Sequence, residues 1–268
     1  IVEVENTSIV ENVDDSKEVI PKVKKIYSSD KPVGLFYGSS TGNSEAICDI
    51  IQEEFGDQII KLHDVSDTDP EKILDFEHII ISCPTWNDGE LQEDWIEFLP
   101  EIAKLDLTGK KIMMFGMGDQ EGYADNFLDA LGIIANDLSA AGAAIVGDWP
   151  IEGYDFNKSL GVMPDGAHFY GLGLDQENQP ELHQSRLEKW YLLVVDNFGI
   201  SVQQDTPNSD ESNSKAVNSN EKTSVDSSEL FDMKLLNSID DKMARGSAKK
   251  VYLAGKKKAG STVDVVAD

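Results

Sequence analysis

Between residues 32 and 199 short β-rich apolar runs alternate with amphipathic stretches, the pattern that βαβ units and a parallel sheet require. Strands are predicted at 33–37, 58–62, 78–83, 111–117 and 144–146, with helices between them at 44–55, 70–75, 91–103 and 124–141. Residues 180–198 close the series, with Leu182, Leu187, Trp190, Leu193, Val194 and Phe198 on or near one helical face. The expected fold is α/β, a doubly wound five-stranded parallel sheet with helices on both faces. A segment at 149–166, rich in Gly, Asp and aromatics, interrupts the last strand, which is predicted to resume over 167–172. Such sheets bind ligands beyond the carboxyl ends of their strands, which directs attention to the loops after the first, third and fourth strands.

At 268 residues the chain accommodates one such domain plus extensions. The reading divides it into an N-terminal arm or linker (1–30), the α/β domain (31–200), a Ser/Asn-rich acidic linker (201–228) and a C-terminal part (229–268). The linker is too polar to bury a core and is expected to be disordered. In the C-terminal part Phe231, Leu235, Ile239 and Met243 recur at four-residue spacing behind a cap at Ser227 or Ser228, predicting a short amphipathic helix. Residues 242–262 then carry seven basic side chains and no acidic one. The first residue is Ile1 and not Met, which points to a processed or excised product, and any targeting segment would lie upstream. No apolar run approaches the roughly 18 residues of a bilayer span, so a soluble and not an integral membrane protein is expected. Cys48 and Cys83 have no Cys-x-x-Cys spacing and suggest neither a disulfide framework nor a thiolate metal site, and they fit a reducing compartment. The four histidines, His63, His78, His168 and His183, lack ligand-like spacing and read as structural.

Charge narrows the partners. Residues 31–200 hold 32 acidic and 9 basic side chains, so −23 of the chain's −27 falls there. Nucleic acid and anionic lipid are not expected as partners of this region, whereas a basic protein surface would be steered toward it. A merely solubilising acidic surface has the same composition.

The loop Ser39-Ser40-Thr41-Gly42-Asn43-Ser44 lies between a predicted strand and a helix start, where free backbone N–H groups and the helix dipole favour an anion. It is not a P-loop, since the Gly-x-x-x-x-Gly-Lys-Ser/Thr spacing is absent and no Lys occurs between Lys31 and Lys61. Neutral donors alone suit one terminal monophosphate, the reading preferred here, although taken by itself the stretch also fits a mere capped turn. The second loop, Cys83-Pro84-Thr85-Trp86-Asn87-Asp88-Gly89-Glu90-Leu91, puts a Trp at the ligand edge. The third, from Gly116 to Asn126, supplies Gly118, Asp119, Gly122, Tyr123 and Asn126. Two aromatics from neighbouring loops can sandwich a flat ring; as core residues they would seldom sit among Asn, Asp and Gly.

Over residues 32–199 the sequence resembles the long-chain flavodoxins, through the 39–44 loop, Pro84-Thr85-Trp86, Gly118-Asp119 and Tyr123-Ala124-Asp125-Asn126-Phe127. The insertion at 149–166 resembles the loop that distinguishes long-chain members. The resemblance implies a flavodoxin-like fold, non-covalent FMN and one-electron transfer without catalytic residues or a metal. It implies that Ser39, Ser40, Thr41, Gly42, Asn43 and Ser44 hold the FMN phosphate and that Trp86 and Tyr123 stack on the two isoalloxazine faces. Asp119 would bond the pyrimidine edge, with Thr85, Gly118 and Asn126 lining it. The Asn87–Asp88 peptide would turn inward toward a protonated flavin N5, stabilising the neutral semiquinone, with Gly89 easing the motion. An aromatic sandwich without nearby Lys or Arg, in a domain of −23, disfavours the anionic fully reduced flavin and so lowers the second potential.

Asp88 and Glu121 depart from the family, standing where long-chain members carry apolar residues near the flavin's exposed edge. The tail is a second departure. The implied partners are the basic surfaces of redox proteins: photosystem I or another donor, and a ferredoxin–NADP reductase-like acceptor, with the carrier replacing ferredoxin as a monomer in a bacterial cytoplasm or a plastid stroma. Two other readings are an FMN-dependent quinone or NAD(P)H reductase, which needs an open flavin face, and a flavin-bearing interaction module docked through its tail.

Overall fold

The computed structural model describes residues 25–204. The elements in order are β1 (Lys25–Ser28), β2 (Val33–Tyr37), α1 (Asn43–Phe55), β3 (Ile60–Asp64), β4 (His78–Ser82), β5 (Thr85–Trp86), β6 (Glu90–Leu91), α2 (Glu93–Ile102), β7 (Lys111–Met117), α3 (Asp129–Ala140), β8 (Ala144–Ile145), β9 (Trp149–Pro150), β10 (His168–Phe169), β11 (Leu172–Leu174), α4 (His183–Phe198) and β12 (Ser201–Gln204). Short 3₁₀ turns occupy Pro70–Asp75 and Pro180–Leu182.

The central sheet is wholly parallel, in the order β3-β2-β4-β7-β11, with β8 also on β7. All five residues of β2 are buried, as are all but the first of β4 and β7, because helices cover both faces. Side-chain alternation assigns those helices. Phe36 meets Phe98 of α2 at 6.2 Å, while Phe115, whose register partner through β4 is Ser82 and not Ile81, points the other way and meets Trp190 of α4 at 5.8 Å. Phe55 of α1 meets Tyr191 of α4 on that second side at 5.3 Å.

The expected doubly wound sheet is present, and its fifth strand is split. Ala144–Ile145 pairs with Lys111–Ile112, and Leu172–Leu174 pairs with Phe115–Met117. The expectation that this strand resumes at 167–172 is corrected. His168–Phe169 instead closes a hairpin with Trp149–Pro150, because Phe169 is drawn into an aromatic cluster with Phe127, Tyr154 and Phe156. The helix expected over 124–141 begins only at Asp129. The Ala124 carbonyl accepts from Asn157 N–H at 2.7 Å and Lys158 N–H at 3.0 Å, and Leu128 adopts φ 60°, so 124–128 is a sequence of turns. The helix expected over 91–103 starts at Glu93, since Leu91 is paired with Thr85 and Gln92 is the cap.

A further correction concerns the ends of the domain. Lys25–Ser28, assigned to an arm, pairs antiparallel with Ser201–Gln204, assigned to the linker. Tyr27 anchors this ribbon: its ring lies 4.6 Å from Phe55 and its hydroxyl donates to Glu54 at 2.5 Å. The remaining calls on 1–24 and 205–268, including the amphipathic helix and the basic tail, lie outside the described residues.

Candidate functional site

β2, β4, β7 and β11 point their carboxyl ends at one edge of the sheet, and the loops leaving them enclose a cleft of about 390 Å³. It is lined by residues from all three loops singled out by sequence, Ser39, Ser40, Thr41, Asn43, Ser44, Thr85, Trp86, Asn87, Gly118, Asp119, Tyr123 and Asn126 among them. Of the expected site residues, Gly42, Asp88 and Gly89 do not line it. Gly42 and Gly89 act through backbone geometry, at φ 84° and 96°, and Asp88 is an exposed neighbour of the lining Asn87.

In the first loop the Ser39 hydroxyl accepts from Gly42 N–H at 3.1 Å, which folds the chain over the start of α1. The helix has Gly42 as its N-cap and no side-chain cap. Among the described residues nothing accepts from the N–H groups of Thr41, Asn43 and Ser44, and these unspent donors stand beside the Ser40, Thr41 and Ser44 hydroxyls. Gln92 was missed by sequence reasoning. It is 1% exposed, its amide donates to Ser40 Oγ at 3.2 Å, and its Oε1 would lie 2.1 Å from a Cβ at Gly38. Nothing in the local pattern marks it, because its partner is 52 residues away.

The second loop is a tight hairpin. Gly89 N–H donates to the Trp86 carbonyl at 3.1 Å, and Asn87 takes φ 44°. Gly89 is more confined than an easy hinge, since a Cβ there would meet Asp129 Oδ2 at 2.6 Å and Asn126 Nδ2 at 3.0 Å. Thr85 Oγ1 accepts from Ala130 N–H at 3.2 Å, fixing the hairpin to α3.

In the third loop Asp119 Oδ1 accepts from Gly122 N–H at 2.7 Å, Glu121 N–H at 3.1 Å and the Asn178 amide at 2.8 Å. Burial pushes its carboxyl up, but the donors on Gly122, Asn178 and Glu121 outweigh it and hold the group below the usual carboxylate range. A Cβ at Gly118 would meet the Phe127 ring at 2.9 Å, so this lining position has no room for a side chain. Tyr123 is 48% exposed, leaving one wall of the slot open to solvent.

The turn after β11 supplies Gln176 and Glu177, which sequence reasoning misses because the predicted strand stops at 172, two residues before β11 ends. Pro84, Met117 and Phe127 complete the lining. Among the described residues no Lys, Arg or His lines the cleft, and the charges there are the carboxylates of Asp119 and Glu177. The site therefore offers neutral donors at one end, two aromatics and an oriented carboxylate at the other. The donor set suits a phosphate, and the aromatic slot suits a planar ring, which is the composition of FMN.

The flavodoxin family model matches residues 35–190, more than half of the chain. The chain belongs to the flavodoxin family. A flavodoxin of Nostoc sp. is 44% identical over 170 residues, covering 63% of this chain and 99% of that one. A flavodoxin of Synechocystis sp. is 47% identical over 159 residues, covering 59% and 92%. Among solved structures, Fusobacterium nucleatum flavodoxin bound to flavin mononucleotide superposes with a TM-score of 0.59 at 28% identity, covering 63% of this chain and 99% of that one. Flavodoxins are electron-transfer flavoproteins and not enzymes, and this function comes with the family. Among the described residues no helix is long and apolar enough to cross a membrane.

Proposed function

We propose that the cleft holds FMN non-covalently and that the protein is a low-potential one-electron carrier. The observation that carries this reading is the joint lining: unspent N–H groups and hydroxyls at 39–44, Trp86 and Tyr123 in the same cleft, and, among the described residues, no cationic side chain. Bound FMN supplies the redox chemistry. Ser39, Ser40, Thr41, Gly42, Asn43 and Ser44 hold its phosphate, Trp86 and Tyr123 cover the ring faces, and Asp119 accepts from the pyrimidine edge beside Thr85, Gly118 and Asn126. Asn87, Asp88 and Gly89 form the turn that meets the ring's redox-active edge. With no cationic side chain among the described lining residues, Asp119 and Glu177 would disfavour negative charge added to a bound flavin ring and so keep its two electron uptakes apart in potential.

The partners this reading requires are basic surfaces of redox proteins: a donor such as photosystem I and an acceptor resembling ferredoxin–NADP reductase, with the carrier replacing ferredoxin in cytoplasm or stroma. The deciding experiment reconstitutes the protein with FMN and follows its visible spectrum through a reductive titration. Two resolved one-electron steps are expected. Direct two-electron reduction would move the assignment to a reductase, and failure to bind FMN would overturn it.

A further inference from the structure

Behind the Asp119 wall lies a second carboxylate that the FMN site does not use. Asp175 follows β11 directly and is wholly buried. Its Oδ2 accepts from Gln120 N–H at 3.0 Å, and its Oδ1 from Glu177 N–H at 3.1 Å and Asn178 N–H at 2.9 Å. The Asn178 side-chain amide reaches both of its oxygens, at 3.1 and 2.9 Å. The same amide nitrogen donates to Asp119 Oδ1 at 2.8 Å. Gln120 extends the system outward, its Oε1 accepting from Asp155 N–H of the insertion at 2.7 Å. One buried anion thereby holds the loop after β7, the turn after β11 and, through Gln120, the inserted loop.

We infer that Asp175 and Asn178 are positioning residues that set the aim and charge state of Asp119, and through it the affinity of the site for the flavin ring. This rests on the FMN reading. All three donors to Asp119 converge on Oδ1, so Oδ2 keeps its lone pairs for a ring N–H. Two of those donors are Asp119's own loop backbone and travel with it. Asn178 is the one that comes from another element, and it is itself fixed by Asp175. Without it the loop can carry the carboxylate away from the ring. Other ionisable groups on the segments around Asp119 include Glu121, Tyr123 and Asp125 on its own loop, Glu177 on the turn, Asp88 and Glu90 on the hairpin, and Asp155 and Lys158 on the insertion. His183 and Arg186 of α4 lie near Asp175.

The test measures FMN and riboflavin dissociation constants by flavin fluorescence quenching from pH 4 to 8, on the full chain and on Asn178→Ala, Asp119→Asn and the double variant. Riboflavin lacks the phosphate and reports the ring half alone. Asn178→Ala is expected to weaken both ligands by a similar factor, about fivefold to tenfold. It removes a donor to the carboxylate, so the loss of affinity on acidification should move to higher pH. In the Asp119→Asn background the same substitution should change affinity less than about twofold. Equal losses in both backgrounds with an unmoved acid limb would show a structural role only and overturn the inference. Asn178→Ser, which keeps a hydroxyl donor on a shorter stem, should fall between parent and Asn178→Ala, and it decides the matter if the Ala variant does not fold. Failure of the parent to bind FMN would overturn the reading beneath it and the inference together.

Discussion

Asp88 and Glu121 are exposed carboxylates in the two loops that carry Trp86 and Tyr123. Each adds a negative charge near the edge where the ring would take up electrons, and neither makes an ion pair among the described residues. Asp88→Ile combined with Glu121→Ile is expected to raise the lower flavin potential by on the order of tens of millivolts, since exposed charges act through high dielectric. A spectroelectrochemical titration at low salt checks it, and an unchanged potential would remove these residues from the tuning of the site. Tyr154 makes a different prediction. Burial pushes its hydroxyl up to about 12, against the Arg186 guanidinium 4.0 Å from its ring, which lowers it. A folded-state value above the unfolded one means that this contribution to stability is complete below about pH 10 and is lost as pH rises toward 12. Denaturant unfolding between pH 8 and 12 should show stability falling above pH 10, by up to about 3 kcal/mol from this residue. Tyr154→Phe should flatten that fall, although it loses the hydroxyl's bonds to Trp149 Nε1–H and the Gly173 carbonyl and begins less stable.

At the scale of elements, the β1–β12 ribbon joins the two ends of the domain through four residue pairs, and most of what it buries is Tyr27. Tyr27→Ala should lower the unfolding free energy by about 2 kcal/mol and leave FMN affinity unchanged, because the ribbon packs on the amino-terminal side of the sheet, away from the cleft. Denaturation with and without FMN separates the two effects. The ribbon also shows where reading stops short. β2, β4 and β7 were legible because strands buried on both faces are runs of apolar residues, and their ligand loops followed from topology. Lys25–Ser28 offers only one inward side chain, so no periodicity marks it. The split of the fifth strand was legible as an interruption, but not the residue at which pairing returns, which is fixed by Phe169 turning into its aromatic cluster. The short form of α3 depends on Asn157 and Lys158 capturing the Ala124 carbonyl from more than thirty residues away. In the cleft, the loop residues carried their own signals in hydroxyls, aromatics and glycines, whereas Gln92, Asp175 and Asn178 act through partners that only the fold brings near.

For the molecule as a whole, the 32 acidic and 9 basic side chains between residues 31 and 200 set a long-range field that no single contact describes. If that field only keeps the protein dispersed, its encounter rate with a redox partner is insensitive to salt. If it steers a basic surface toward the domain, the rate falls as counterions screen it. The Debye length shrinks from about 30 Å at 0.01 M to about 8 Å at 0.15 M, shorter than a small domain's diameter. Stopped-flow reduction of a basic partner by the FMN-loaded protein is therefore expected to slow by at least about tenfold between those two ionic strengths. A neutral one-electron acceptor of small size should show little change over the same range, which separates steering from any effect of salt on the flavin itself. Equal salt dependence for the two acceptors would assign the acidic surface to solubility alone. A steep response confined to the basic partner would make charge the first element of recognition, acting before the exposed Tyr123 wall of the cleft and its neighbours come into contact.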